Sequence, residues 1–148
     1  MEVVGNMYRL TLLVSLIVLV SFSGSWAADN TIVVVPGNYK IKTTTRSNMN
    51  PNPQSDIEDQ CVTDTLFYPQ MALPDESCTP SNVKKSGNKL SFDFKCTGNQ
   101  IMPAMTGKAD VSATSSTLSL HYKMVGVNQG QEFSVDSTSE GKRTGDCK

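Results

Sequence analysis

Apolar and polar residues alternate with a period of two through much of the chain. Leu90, Phe92, Phe94 and Cys96 are separated by Ser91, Asp93 and Lys95. Leu118, Leu120, Tyr122 and Met124 are separated by Ser119, His121 and Lys123. Met105, Gly107, Ala109, Val111 and Ala113 alternate with Thr106, Lys108, Asp110 and Ser112. Tyr39, Ile41 and Thr43 flank Lys40 and Lys42, and Phe133 and Val135 flank Ser134. Successive side chains of a strand point to opposite faces, so each run reads as a strand with one dry and one wet face. The connections at 113–116 and 126–130 are too short for the crossover of a dozen or more residues that parallel strands need. The pattern predicts an all-β antiparallel meander of about six or seven strands, curved as a sheet or closed into a small barrel.

In that arrangement Tyr39, Ile41, Leu90, Phe92, Phe94, Leu118, Leu120, Tyr122, Phe133 and Val135 share one face. They either fill an interior or line an apolar cavity, and the small residues Gly107, Ala109 and Ala113 are expected to leave room inside. Three segments break the alternation. Asn48, Asn50, Pro51, Asn52 and Pro53 are turn formers and predict a mobile loop over 47–55. Residues 63–73 are apolar without alternation and suit a short helical turn, opened by Thr63 or Asp64 and limited by Pro69. The apolar run 32–35 is expected to add an edge strand or to swap onto a neighbour.

The amino terminus has a positive end (Glu2, Arg9 and the terminal amine), then an apolar run from 10 to 22. As a helix this run measures roughly 20 Å, short of the ~30 Å bilayer core. Ser25 and Ala27 supply the small-x-small pattern that precedes cleavage. These are the parts of a secretory leader, so residues 1–27 are expected to be removed and 28–148 to form one exported β-rich domain, without a transmembrane segment after cleavage. Removing 27 of 148 residues leaves 148 − 27 = 121.

Export changes the reading of the cysteines. Cys61, Cys78, Cys96 and Cys147 all follow the leader, and an even count in a small exported domain indicates two disulfides. Spacings of 17, 18 and 51 residues include no C-x-x-C pair of the kind a zinc site uses. Three pairings are possible. Cys78 and Cys96 flank a hairpin turning at Ser86-Gly87-Asn88, with two candidate registers. A loop centred on Gly87 makes facing residues sum to 174 and brings Cys78 opposite Cys96. A two-residue Gly87-Asn88 loop gives 175 and sets Val83 opposite Phe92. A bulge near Pro80 would allow both, which favours Cys78–Cys96 with Cys61–Cys147.

The ordered series Pro36-Gly37-x-Tyr39-x-Ile41, Gln60-Cys61-Val62-Thr63, Cys78-Thr79, Ser86-Gly87-Asn88, Cys96-Thr97-Gly98, Met105-Thr106-Gly107 and Gly145-Asp146-Cys147 carries a resemblance. Over about 36–148 the chain resembles a family of small exported bacterial proteins designated a domain of unknown function, number three-six-one-seven. Tyr39 stands where that family usually has Trp. The resemblance implies a bacterial envelope location and a β-rich domain, and it supplies no catalytic residue.

Composition narrows function mainly by exclusion. Thirteen basic and 14 acidic side chains give a net charge of −1, which excludes nucleic-acid binding by bulk charge. His121, the single histidine, falls on the polar face of its strand and is more simply a solvated residue than a base or ligand. No G-x-S-x-G elbow accompanies it, so a hydrolase remains an alternative without a motif. Met102, Met105 and Met124, with His121, form the alternative of a soft-metal (copper) site, although methionine also fills irregular cores. Asp56, Glu58 and Asp59 lack calcium-loop spacing and read as solvated. Lys84, Lys85 and Lys89 crown the hairpin and suit a protected edge. The sequence thus predicts a non-enzymatic periplasmic or secreted domain, with no catalytic residue or cofactor, that binds a small apolar ligand or an envelope protein.

Overall fold

The structure is a computed structural model that describes residues 30–99 and 102–148. The expected leader at 1–27 lies outside the described residues. The strands are β1 (Ile32–Val33), β2 (Gly37–Ser47), β3 (Asn50–Val62), β4 (Leu66–Phe67), β5 (Cys78–Ser86), β6 (Lys89–Cys96), β7 (Met105–Ala113), β8 (Thr117–Asn128) and β9 (Gln131–Gly145). Seven form one antiparallel sheet in the order β3-β2-β9-β8-β7-β6-β5, and β1 pairs with β4 in a separate two-stranded ladder. The fold is all-β and the main sheet is open, with β3 and β5 as its edges, so the barrel alternative is not realised. Strands β5 to β9 make the expected meander. The β2–β3 hairpin joins it through β2, which pairs with β9.

Register sorts the side chains into rows across one face. Phe92 faces Ala109, which faces Tyr122. Leu90 faces Val111, which faces Leu120, and Ala113 faces Leu118. Leu90, Phe92 and Phe94 are 1–3% exposed, and Ala109 and Val111 are both 2% exposed. Each large side chain buried this way contributes roughly 1.5–3 kcal/mol. Over this half of the sheet lies a cover built from segments between and before the strands. Ile32 and Val34 are buried against the core, and so is Ala72 of the 3₁₀ turn Pro69–Ala72.

Asn88 fastens the cover to the hairpin tip. Its Oδ1 accepts from the Val33 amide at 2.7 Å. Its Nδ2 lies 2.8 Å from the Val33 carbonyl and 2.9 Å from that of Ala113. Tyr39, fully buried, donates from its hydroxyl to the Val35 carbonyl at 2.7 Å and holds the next turn of the chain.

Four expectations are corrected. Residues 47–55 are not a mobile loop: Ser47 ends β2, Asn48 and Met49 make a turn, and 50–55 open β3. Pro51 and Pro53 are tolerated because β3 is an edge strand and the ladder shifts between Thr45 and Ser47. The helical turn starts at Pro69 after Tyr68, and not at Thr63 or Asp64, since proline's fixed φ suits the first helical position. The room expected over Gly107 is taken by Phe94, whose ring would lie 2.4 Å from an added Cβ. Strand β9 also runs ten residues beyond Val135, to Gly145.

The hairpin realises both registers. Cys78↔Cys96 through Ser81↔Asp93 sum to 174, and Lys84↔Ser91 through Ser86↔Lys89 sum to 175. The extra residue falls at Asn82-Val83, later than Pro80, and Asn82 takes φ 52°. Asparagine is among the residues that tolerate this left-handed conformation, and Asn82 Nδ2 donates to Asp93 Oδ2 at 2.8 Å. The bulge lets Cys78 and Cys96 face each other as a disulfide while a two-residue Gly87-Asn88 turn closes the hairpin. A second disulfide joins Cys61 at the end of β3 to Cys147, two residues past β9.

Candidate cleft on the apolar face

The apolar face changes character between β8 and β3. Across β7 and β8 its residues are Val111, Leu120 and Leu118. On β9 and β2 the same rows continue as Ser139 and Thr43, or as Gly141 and Ile41. On β3 they end at Asp56 and Glu58. The hydroxyls on β2 and β9 satisfy each other: Thr43 Oγ1 and Ser139 Oγ lie 2.8 Å apart, and Thr45 Oγ1 and Ser137 Oγ 3.0 Å apart. Short side chains here do not reach the cover, and a cleft of about 290 Å³ remains.

Ile41, Gly141, Leu118, Leu120, Val111, Thr43 and Ser139 line the cleft from the sheet. Val34 lines it from the amino-terminal segment. Val62 contributes from the end of β3, and Thr63, Asp64, Leu66, Phe67 and Met71 from the crossover that follows it. The crossover is held in place by β1–β4 pairing, by the Val34 amide donating to the Thr65 carbonyl at 2.9 Å, and by the Cys61–Cys147 disulfide beside it. Leu66 (50% exposed) and Met71 (41%) are cleft-lining apolar side chains with large exposed surfaces. Exposed apolar area of this kind, next to a concavity, is the usual physical mark of a binding site. Glu58, Gln60 and Asp64 are the acidic and amide members of the lining, which includes no Lys, Arg or His.

The other sequence candidates lie elsewhere. His121 is on the opposite, polar face, where its Nε2 lies 2.9 Å from Asp136 Oδ1; Lys123 Nζ lies 3.2 Å from Asp136 Oδ2. It is therefore a paired residue and not merely a solvated one. Partial burial acts to raise the Asp136 carboxyl, but the hydrogen bonds and charges of His121 and Lys123 outweigh it and hold the group below its ordinary value of 3.8. Ser91 and Asp110 form a hydrogen-bonded pair on the same polar face.

Met105 and Met124 share the apolar face, Met105 buried and Met124 packed against the core, so the strand period puts them on the side away from His121. Met102 also packs on that core. Among the described residues, no group of three or more His, Cys, Asp or Glu side chains is placed to hold a metal. Lys84 and Lys85 lie on the edge strand β5, and Asp56, Glu58 and Asp59 on the opposite edge, β3. No helix among the described residues is long and apolar enough to cross a membrane.

Sequence reading missed Ser139 and Gly141 as cleft residues, because their stretch of β9 has no apolar alternation to reveal it, and it gave Thr43 of β2 no role in a site. One signal was available: Ile41 continues the alternation of β2 into this region, yet the following inward positions, Thr43 and Thr45, are hydroxylic.

The fold and the cleft together define an open antiparallel β-sheet domain, crosslinked twice, with a covered apolar face. A family model described as "Protein of unknown function (DUF3617)" matches residues 34–147. The chain belongs to that family. Comparison with curated proteins and with solved structures finds no match.

Proposed function

We propose that this chain is an exported, non-enzymatic domain of the bacterial envelope that holds a small apolar ligand in the cleft between the sheet and its cover. The cleft is the observation that carries the reading. Its volume of about 290 Å³ lies at the small end of ligand sites, which range over roughly 300–1,000 Å³. Two disulfides suit an oxidising compartment, and residues 1–27 are read as the leader that delivers residues 28–148 there, to the periplasm or beyond. The alternative of an envelope protein as partner would use the same exposed Leu66 and Met71 rim.

The test uses the oxidised protein recovered from the periplasm of an expressing bacterium. Native mass spectrometry reads any co-purifying small molecule, and calorimetric titration with n-octanol, a probe small enough for this volume, reads the cleft. Saturable one-to-one binding is expected, and Gly141→Phe, which projects a ring from the cleft floor, is expected to abolish it while the thermal transition persists. Equal binding by both proteins, or no saturable binding by the unaltered chain, refutes the proposal.

A further inference from the structure

We infer that the occupant of the cleft is an amphiphile with a short apolar tail and a cationic head, an inference that rests on the ligand-binding reading and deepens it. The apolar side of the cleft is Leu118, Leu120 and Val111 on β7 and β8; Glu58 lines it from β3, at the far end of the row that runs through Gly141 and Ile41, and Asp64 lines it from the crossover after β3. Glu58 sits directly across from Ile41 in the β2–β3 ladder, so the charge lies one strand from the apolar floor. Neither carboxylate makes a hydrogen bond or an ion pair among the described residues, although the chain carries 13 basic side chains. In the rows that pass through Ile41 and Thr43, the nearest hydroxyls are already engaged with each other at 2.8 Å. The cleft therefore offers a head group negative charge and no basic donor, and it disfavours an anionic head such as a fatty-acid carboxylate. At roughly 30 Å³ per water-sized group, the volume takes about ten heavy atoms, an octyl chain with a small head.

The experiment compares n-octylamine, n-octanol and n-octanoate at pH 7 and low ionic strength, by calorimetry on the oxidised full-length product of export. Exposed carboxylates give modest pairing energies, so octylamine is expected to bind roughly three- to tenfold tighter than octanol, and octanoate weaker than octanol. The ranking is expected to shrink in high salt. It is expected to vanish in Glu58→Gln/Asp64→Asn, with octanol binding retained. If octanol binds but amine and carboxylate bind alike, the head-group inference is overturned and the cleft reading stands. Tighter binding of octanoate than octylamine overturns it equally. If none of the three binds, both proposals fall.

Discussion

Replacing both Cys61 and Cys147 by alanine separates chain entropy from packing. Cys61 is exposed and Cys147 half-buried, so little apolar contact is lost with their sulfurs. Their bond closes a sequence separation of 86 residues, against 18 for Cys78–Cys96. A crosslink restricts the unfolded chain by an amount that grows with the logarithm of the loop, which gives about 4.5 kcal/mol for the long loop and about 3 kcal/mol for the short one. Net stabilities of domains are about 5–15 kcal/mol, so the double variant is expected to be folded but marginal. For a domain of this size the midpoint of thermal unfolding falls by roughly 15–20 °C. Urea unfolding followed by far-ultraviolet circular dichroism provides the check. The unfolded state expands when the loop opens, so the slope of stability against urea is also expected to rise. A loss below about 1 kcal/mol with an unchanged slope would show that the bridge does not act through the unfolded chain.

Further outcomes follow from the two faces of the sheet. Asp136 has a folded-state pKa lowered below 3.8, so its contribution to stability is fully present above that value and is lost as pH falls through the lower folded value. Asp136→Asn is expected to lower stability at pH 7, where that contribution is fully present, and to flatten the profile in the acidic window, so that the two proteins converge as pH falls below the folded value. His121→Ala is expected to move the Asp136 carboxyl midpoint upward in a carbon-13 titration, and an unmoved midpoint counts against the pairing. On the apolar face, Gly107→Ala places a Cβ 2.4 Å from both the Phe94 ring and the Lys123 carbonyl, and is expected to cost roughly 1–3 kcal/mol. Gly141→Ala meets nothing closer than the Ile41 side chain at 3.3 Å, beside the open cleft, and is expected to be neutral or stabilising by up to about 1 kcal/mol. Chemical denaturation of both variants decides, and equal losses would mean that the space at Gly141 is not there.

The sequence by itself determined the half of the sheet that pays its way by burying hydrocarbon. Strands β6, β7 and β8 alternate Leu90, Phe92 and Phe94, Ala109 and Val111, or Leu118 and Leu120 against polar residues, and a strand's period of two makes such alternation visible without any partner. The two candidate hairpin registers were legible for the same reason, since Gly87-Asn88 and the cysteine spacing are local. What local pattern could not show was that β3 and the distal part of β9 are strands at all. Their inward positions are Gln54, Asp56, Glu58 and Gln60, or Ser137, Ser139 and Gly141, and they are extended because backbone hydrogen bonds to β2 hold them so. Prolines that signal a turn in isolation became acceptable once β3 lay at an edge. Only the tertiary structure decided that β2 joins β9, that the sheet stays open, and that the cover seals one half of the apolar face but stands off from the other. Those outcomes depend on pairings between residues about a hundred positions apart, such as Tyr39 with Arg143, whose energy exists only when the whole sheet is assembled.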